Sequence, residues 1–127
     1  MGDRYIAADL TRRILDCAFR VHSELGPGLL ESAYQACLEE ELRLAELRSH
    51  REVPLKIKYR GIEIDCAYRA DFIVEDTALL ELKCVDRLMP IHSAQTLTYL
   101  KLSGLRVGLL MNFNSPSLQS GLRRLVL

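Results

Sequence analysis

A chain of 127 residues is long enough for one domain with a single core, and 49% apolar with 27% charged residues is ordinary for a soluble globular protein. Seventeen basic and seventeen acidic residues cancel, which argues against a general nucleic-acid binder but not against an enzyme that meets nucleic acid through a local patch. No apolar run is long enough to cross a membrane. The opening MGDRYIAADL has no apolar signal-peptide core, and Ile6 stands where a myristoylation site wants Ser or Thr, so a cytoplasmic protein is expected. Cys17, Cys37, Cys66 and Cys84 are far apart and lie in apolar patterns; they read as buried free thiols rather than zinc ligands.

Helical spacing of Leu10, Ile14, Cys17, Ala18, Val21 and Leu25 predicts a first helix over 9–24, capped by Asp9 and stopped by Gly26-Pro27-Gly28. His22 lies in its last turn. On residue type alone it is a surface histidine favoured by the helix dipole. A second helix runs from Leu29 to about Leu47 with the stripe Leu30, Ala33, Tyr34, Cys37, Leu38, Leu42 and Ala45. Glu31 falls in its first turn, where a carboxylate complements the helix N-terminus. His22 and Glu31 flank one tight turn and can also converge on a site.

From Glu52 to Tyr59, Val53, Leu55, Ile57 and Tyr59 alternate with Pro54, Lys56 and Lys58, which predicts a strand with edge character. Lys56, Lys58 and Arg60 share a face: most simply a solvated one, alternatively a surface that tracks phosphates. Arg60-Gly61 turns into a strand from Ile62 to Val74, with a bulge near Asp65-Cys66, and the next strand runs from Ala78 to Val85.

Asp71, Glu81 and Lys83 fall inside this apolar hairpin, where a charge costs several kcal/mol unless paired or metal-bound. A two-residue loop at Glu75-Asp76 would put Asp71 opposite Leu80 and away from Glu81. A three-residue loop, Glu75-Asp76-Thr77, pairs Asp71 with Glu81 and Arg69 with Lys83. It gathers the charges on one face and leaves Phe72, Leu80 and Leu82 for the other, and is the register expected.

Pro90 opens a third helix that Gly104 closes, with Gln95 and Tyr99 one turn apart. Leu105 to Asn112 is an apolar strand that a helix separates from the hairpin, hence a parallel crossover partner. A polar loop and a final edge strand, Leu122–Leu127, complete the chain. The order ααβββαββ is an α/β domain with a mixed central sheet flanked by helices.

Two carboxylates on neighbouring strands suit magnesium, which takes one or two carboxylates plus waters and phosphate oxygens. Lys83 beside them can position a water or offset charge on a phosphate. An isolated Glu-x-Lys is more often a surface ion pair; the apolar strand and the Asp in register set this one apart.

The chain resembles the GxxExxY family, which is placed in the PD-(D/E)xK nuclease superfamily. The signature is Gly28-Leu-Leu-Glu31-Ser-Ala-Tyr34, within VHSELGPGLLESAY, followed by YRADFIVED, LELKCV, PIHSAQTLTYLK and GLLMNF in order. The resemblance implies a restriction-endonuclease-like core in a single domain. Asp71 and Glu81 match the metal-binding acids and Lys83 the catalytic lysine. Gln95 and Tyr99 match the Q-x-x-x-Y helix motif that orients the active site and the strand. Glu31 matches a further metal or water ligand, and His22 a position that approaches the metal. Ala70 departs from the superfamily's Pro, and Asn114 from an expected Gly.

The expected activity is Mg²⁺- or Mn²⁺-dependent hydrolysis of DNA or RNA by a metal-activated water. Asp71, Glu81, Lys83, Glu31, Gln95 and Tyr99 would be catalytic, and Asp71, Glu81, Glu31 and His22 would face the metal. Lys56, Lys58, Arg69 and Tyr99 would contact nucleic acid. The alternatives are a non-catalytic nuclease-fold module that binds nucleic acid or a protein partner, and a domain whose polar cluster is only structural. A homodimer would form through an apolar helix face or the edge strand.

Overall fold

Amphipathic spacing builds the first helix, α1, Ala8–Leu25, in a computed structural model that describes residues 7–127. The amino-terminal reading built on Met1 to Ile6 falls outside the described residues. Asp9 does not cap α1; Ala7 holds that position, and Asp9 lies in the first turn, 3.1 Å from Arg12. Ile14, Cys17, Ala18 and Val21 are buried, but Leu25 is exposed at the helix end. The second helix, α2, is shorter than expected, Glu31–Leu44. Leu30 takes its N-cap in an extended conformation and is 77% exposed, so it drops out of the buried stripe. Arg13 of α1 donates to the Ala45 carbonyl at 2.8 Å, a cation at the negative end of α2.

The strands are β1 (Ser49–Tyr59), β2 (Ile62–Val74), β3 (Ala78–Lys83), β4 (Val107–Asn112) and β5 (Leu122–Val126), with helix α3 (Pro90–Ser103) between β3 and β4. The element order is the expected one. β1 begins earlier than the alternation showed, at Ser49; β3 ends at Lys83, short of Val85; and β4 begins at Val107 rather than Leu105. The sheet order is β1-β2-β3-β4-β5. β3 and β4 run parallel, as the α3 crossover requires, and every other neighbouring pair is antiparallel.

Helices cover both faces. Ile14, Val21, Tyr34, Leu38 and Leu42 of α1 and α2 pack on Phe72, Leu80, Leu82, Leu109 and Met111. Tyr99 and Leu100 of α3 pack on Leu79, Ala70 and Leu55. Each such fully buried aliphatic or aromatic side chain contributes about 1.5–3 kcal/mol. Phe72 joins the first core and Ala70 the second, so β2 changes sides at Asp71. Opposite that point Glu52 has left-handed backbone, φ 52°. The ribbon therefore bends where the candidate residues lie.

Beyond the bend, β2 residues 62–69 are exposed and pair with β1 alone. The expected bulge is present: the register shifts between Leu55 and Ile57, and the Ala67 N–H donates to Asp65. Cys66 lies on this exposed stretch and not in the core, Cys17 alone is buried, and all four thiols are free.

The buried face of α3 is Thr96, Tyr99 and Leu100, a set that apolar spacing did not pick out. It crosses β4 at Gly108, where a Cβ would lie 3.3 Å from both Thr96 and Leu100 side chains. We therefore expect Gly108→Val to overpack this contact and cost about 1–3 kcal/mol, read as a lower urea midpoint at unchanged slope.

Candidate active site

The chemistry-bearing residues sit where β2 and β3 part. The last ladder pairs are Phe72 with Leu80, Ile73 with Leu79 and Val74 with Ala78, around the loop Glu75-Asp76-Thr77. This is the three-residue register, and it brings Asp71 beside Glu81, but the ladder ends there: the expected Arg69–Lys83 pair does not form, and Arg69 pairs with Pro54 of β1. Here the two carboxylates replace main-chain carbonyls as acceptors. The Asp71 N–H donates to Glu81 Oε1 at 3.0 Å, and the Leu82 N–H donates to Asp71 Oδ2 at 2.8 Å. Each carboxylate so spends one oxygen, leaving Asp71 Oδ1 and Glu81 Oε2 outside these bonds.

Glu81 is only 4% exposed. Burial, and then the neighbouring Asp71 charge, push its carboxyl up to about 8, against the Asp71 N–H and the Lys83 ammonium. Burial pushes Asp71 up to about 6, opposed first by the Leu82 N–H, with Glu31 adding to the rise. A buried acid and a half-buried one side by side hold a proton near neutrality unless a cation joins them. Their chemistry suits a hard divalent ion: oxygen donors only, two carboxylates, one free oxygen on each. Among the described residues no group of three or more His, Cys, Asp or Glu side chains converges as a preformed ion cage. What the fold assembles is the pair.

The remaining expected residues reach this pair from two helices. Lys83 Nζ donates to Gln95 Oε1 at 3.3 Å, tying β3 to α3. Tyr99, one turn on, is buried, and burial followed by the Glu81 charge raises its hydroxyl pKa. Its ring tilts against Tyr68, centroids 5.8 Å apart. Glu31 is raised by burial and lowered by Lys83. It accepts from Gln35 at 3.3 Å, and Arg51 in turn donates to Gln35 at 3.2 Å and to Glu39 at 3.1 Å while lying 5.8 Å above the Phe72 ring. Sequence reasoning passed over Gln35 and Arg51. Gln35 was findable, four residues from Glu31 on one helix; Arg51 meets it only through the docking of β1 on α2.

His22 is buried, so its reading as a surface histidine is corrected. Its Nε2–H donates to the Ser115 carbonyl at 2.9 Å, and its ring lies 6.3 Å from Phe113. Tyr34 stacks on Phe113 at 4.8 Å, donates to the Gly26 carbonyl at 2.5 Å and accepts from the Leu29 N–H at 3.2 Å. Gly28, at a φ of 103° that an L side chain resists, donates to Asn114 Oδ1 at 3.1 Å. Asn112, fully buried, holds Val85 through both its amide groups. These bonds fasten the turn before Glu31 to the segments after β3 and β4. Among the basic candidates, Lys56 lies 3.9 Å from Glu63, Lys58 is exposed opposite Glu63, and Arg69 donates to the Tyr68 carbonyl at 3.2 Å. A hollow of about 320 Å³ between α1 and α2, lined by Arg20, Glu24, Cys37 and Glu41, holds none of the candidate residues.

Two outcomes are expected. The raised carboxyls bind protons more tightly folded than unfolded, so their contribution to stability is full below the unfolded values and lost as pH rises through about 6 and about 8. The melting temperature of metal-free protein should therefore fall from about pH 5 to about pH 9, and Glu81→Gln should flatten that fall. Tyr34→Phe, which removes the two turn bonds, should lower stability by about 1–3 kcal/mol, read as a lower urea midpoint.

Residues 8–125 match the family model of the PD-(D/E)XK nuclease superfamily. No curated protein and no solved structure matches the chain. Since the family match runs from the first turn of α1 into β5, every strand and helix that positions the carboxylate pair lies inside it, and the chain belongs to the PD-(D/E)XK nuclease superfamily.

Proposed function

We propose that this protein is a cytoplasmic Mg²⁺- or Mn²⁺-dependent nuclease of the GxxExxY type, hydrolysing phosphodiester bonds of DNA or RNA. The observation that carries the reading is the Asp71–Glu81 pair, a half-buried and a buried acid held by reciprocal N–H bonds with one oxygen left on each. Asp71 and Glu81 would hold the ion, with Glu31 as an outer ligand and His22 behind the turn that places it. The ion, when bound, supplies Lewis acidity to a phosphate oxygen and acidifies a water.

This chain's own groups do the rest. Lys83, tethered by Gln95, presents an ammonium beside the pair, where it stabilises charge gathering on the phosphate and holds the attacking water in line. Gln95 and Tyr99 fix that geometry from α3. Low solvent access strengthens each of these interactions. Lys56, Lys58 and Arg69 on the ribbon would serve as phosphate contacts, and Tyr99 would contact the strand at the site.

Purified protein incubated with single- and double-stranded DNA and RNA should cleave at least one of them with Mg²⁺ or Mn²⁺ and none with chelator. Glu81→Ala should abolish cleavage and Mn²⁺ binding by calorimetry, and Lys83→Ala should slow cleavage by about 10²–10³-fold with metal affinity retained. Absence of cleavage of all four substrates with either ion rejects the nuclease. Nucleic-acid or partner binding indifferent to Lys83→Ala would then identify a non-catalytic module.

A further inference from the structure

Past the bend at Asp71, β1 and β2 continue as a two-stranded ribbon with no third strand beside them among the described residues. Such a ribbon is marginal in water unless one face is covered. Cross-strand partners share a face: Leu55 with Tyr68, Ile57 with Ile64, and Tyr59 with Ile62. Leu55 is buried under α3. Ile57 is half-buried, and the rest form a strip in solvent, with Tyr59 58%, Ile62 59%, Ile64 37% and Tyr68 37% exposed.

This strip is continuous with the candidate active site. Tyr68 lies against Tyr99, and the Tyr99 hydroxyl feels the charges of Glu81 and Asp71. Cations flank the strip from the tip and from the ribbon's other face: Arg60 stands at the tip, Arg69, next to Tyr68, donates to the Tyr68 carbonyl, and Lys58 pairs across from Glu63 on the opposite face. The occupant must offer flat apolar faces to two tyrosines and negative charge to the arginines, and it must end at a pair suited to a phosphate-bound divalent ion. A duplex buries its base faces in its own stack. An unpaired strand presents them. A second copy of the ribbon would cover the apolar residues but would not explain why the strip runs into Tyr99.

We propose that the distal β1–β2 ribbon binds single-stranded nucleic acid, with Tyr68 and Tyr59 stacking on unpaired bases, and that the site therefore acts on unpaired rather than duplex substrate. This rests on the nuclease reading for the destination of the strand. Bases on tyrosine, with phosphates on flanking cations, are the usual means of holding a single strand without reading its sequence.

The test is fluorescence anisotropy of a labelled oligonucleotide with the full chain and no divalent ion, so that binding is read apart from cleavage. The single strand should bind at least about tenfold more tightly than its own duplex. Tyr68→Ala and, separately, Tyr59→Ala should each weaken single-strand binding by about tenfold to a hundredfold, with Tyr68→Phe near wild type. A urea melt of each variant reports folding, and Tyr59, far out on the ribbon, serves if Tyr68→Ala fails to fold. Equal affinity for duplex, or both alanine variants binding as wild type, overturns the proposal. So does a dimer seen by light scattering that Ile62→Asp dissociates without changing oligonucleotide affinity. Tyr68-dependent binding without any cleavage rejects the nuclease and keeps the single-strand site; cleavage with Tyr68-independent binding does the reverse.

Discussion

The site depends on one exchange of hydrogen bonds. Where the β2–β3 ladder would continue, the side chains of Asp71 and Glu81 accept the two main-chain N–H groups. This satisfies donors that would otherwise be buried without partners. It also ends the ladder. β3 proceeds into the parallel pairing with β4 while β2 turns away with β1. The bend, the free ribbon and the adjacent carboxylates are consequences of the same substitution of side chain for backbone. The cost is two acids in a poorly solvated place, which is why both are pushed up and why the pair favours a proton or a cation.

A second set of bonds sets the distance at which α2 faces that pair. Tyr34, Gly28, Asn112 and Asn114 lock the turn between α1 and α2 to the ends of β3 and β4. Tyr34 is thus a fastener rather than a reactive group, and Glu31 is what it positions. Gln35 and Arg51 restrain the same carboxylate from behind. Asn114 at a position where glycine was expected is no defect, because its side chain accepts the Gly28 N–H.

Much of this was legible in the chain. The hairpin register followed from counting alternate positions across a three-residue loop and asking which count kept charge out of the core. The parallel β3–β4 pairing followed from the intervening helix, and Gln95 and Tyr99 from helical spacing. Other features were not legible because they depend on what lies across the gap. His22 has the composition of a surface residue but finds Ser115 and Phe113 over it. Cys66 sits in an alternating pattern, yet its strand extends beyond the sheet that would bury it. Thr96 is polar by type and buried by place, its hydroxyl satisfied within α3.

Local pattern, then, determined the order of elements, the mixed sheet and the meeting of Asp71 with Glu81, because strand and helix periodicities and turn lengths act over a few residues. Tertiary structure alone decided that these acids would end the ladder, that Arg51 would stand behind Glu31, and that half of the β1–β2 ribbon would stand clear of both cores. Those outcomes depend on how far β3 extends beside β2 and on which helix covers which stretch of sheet. These are long-range quantities, set by packing among distant segments, and no window of sequence contains them.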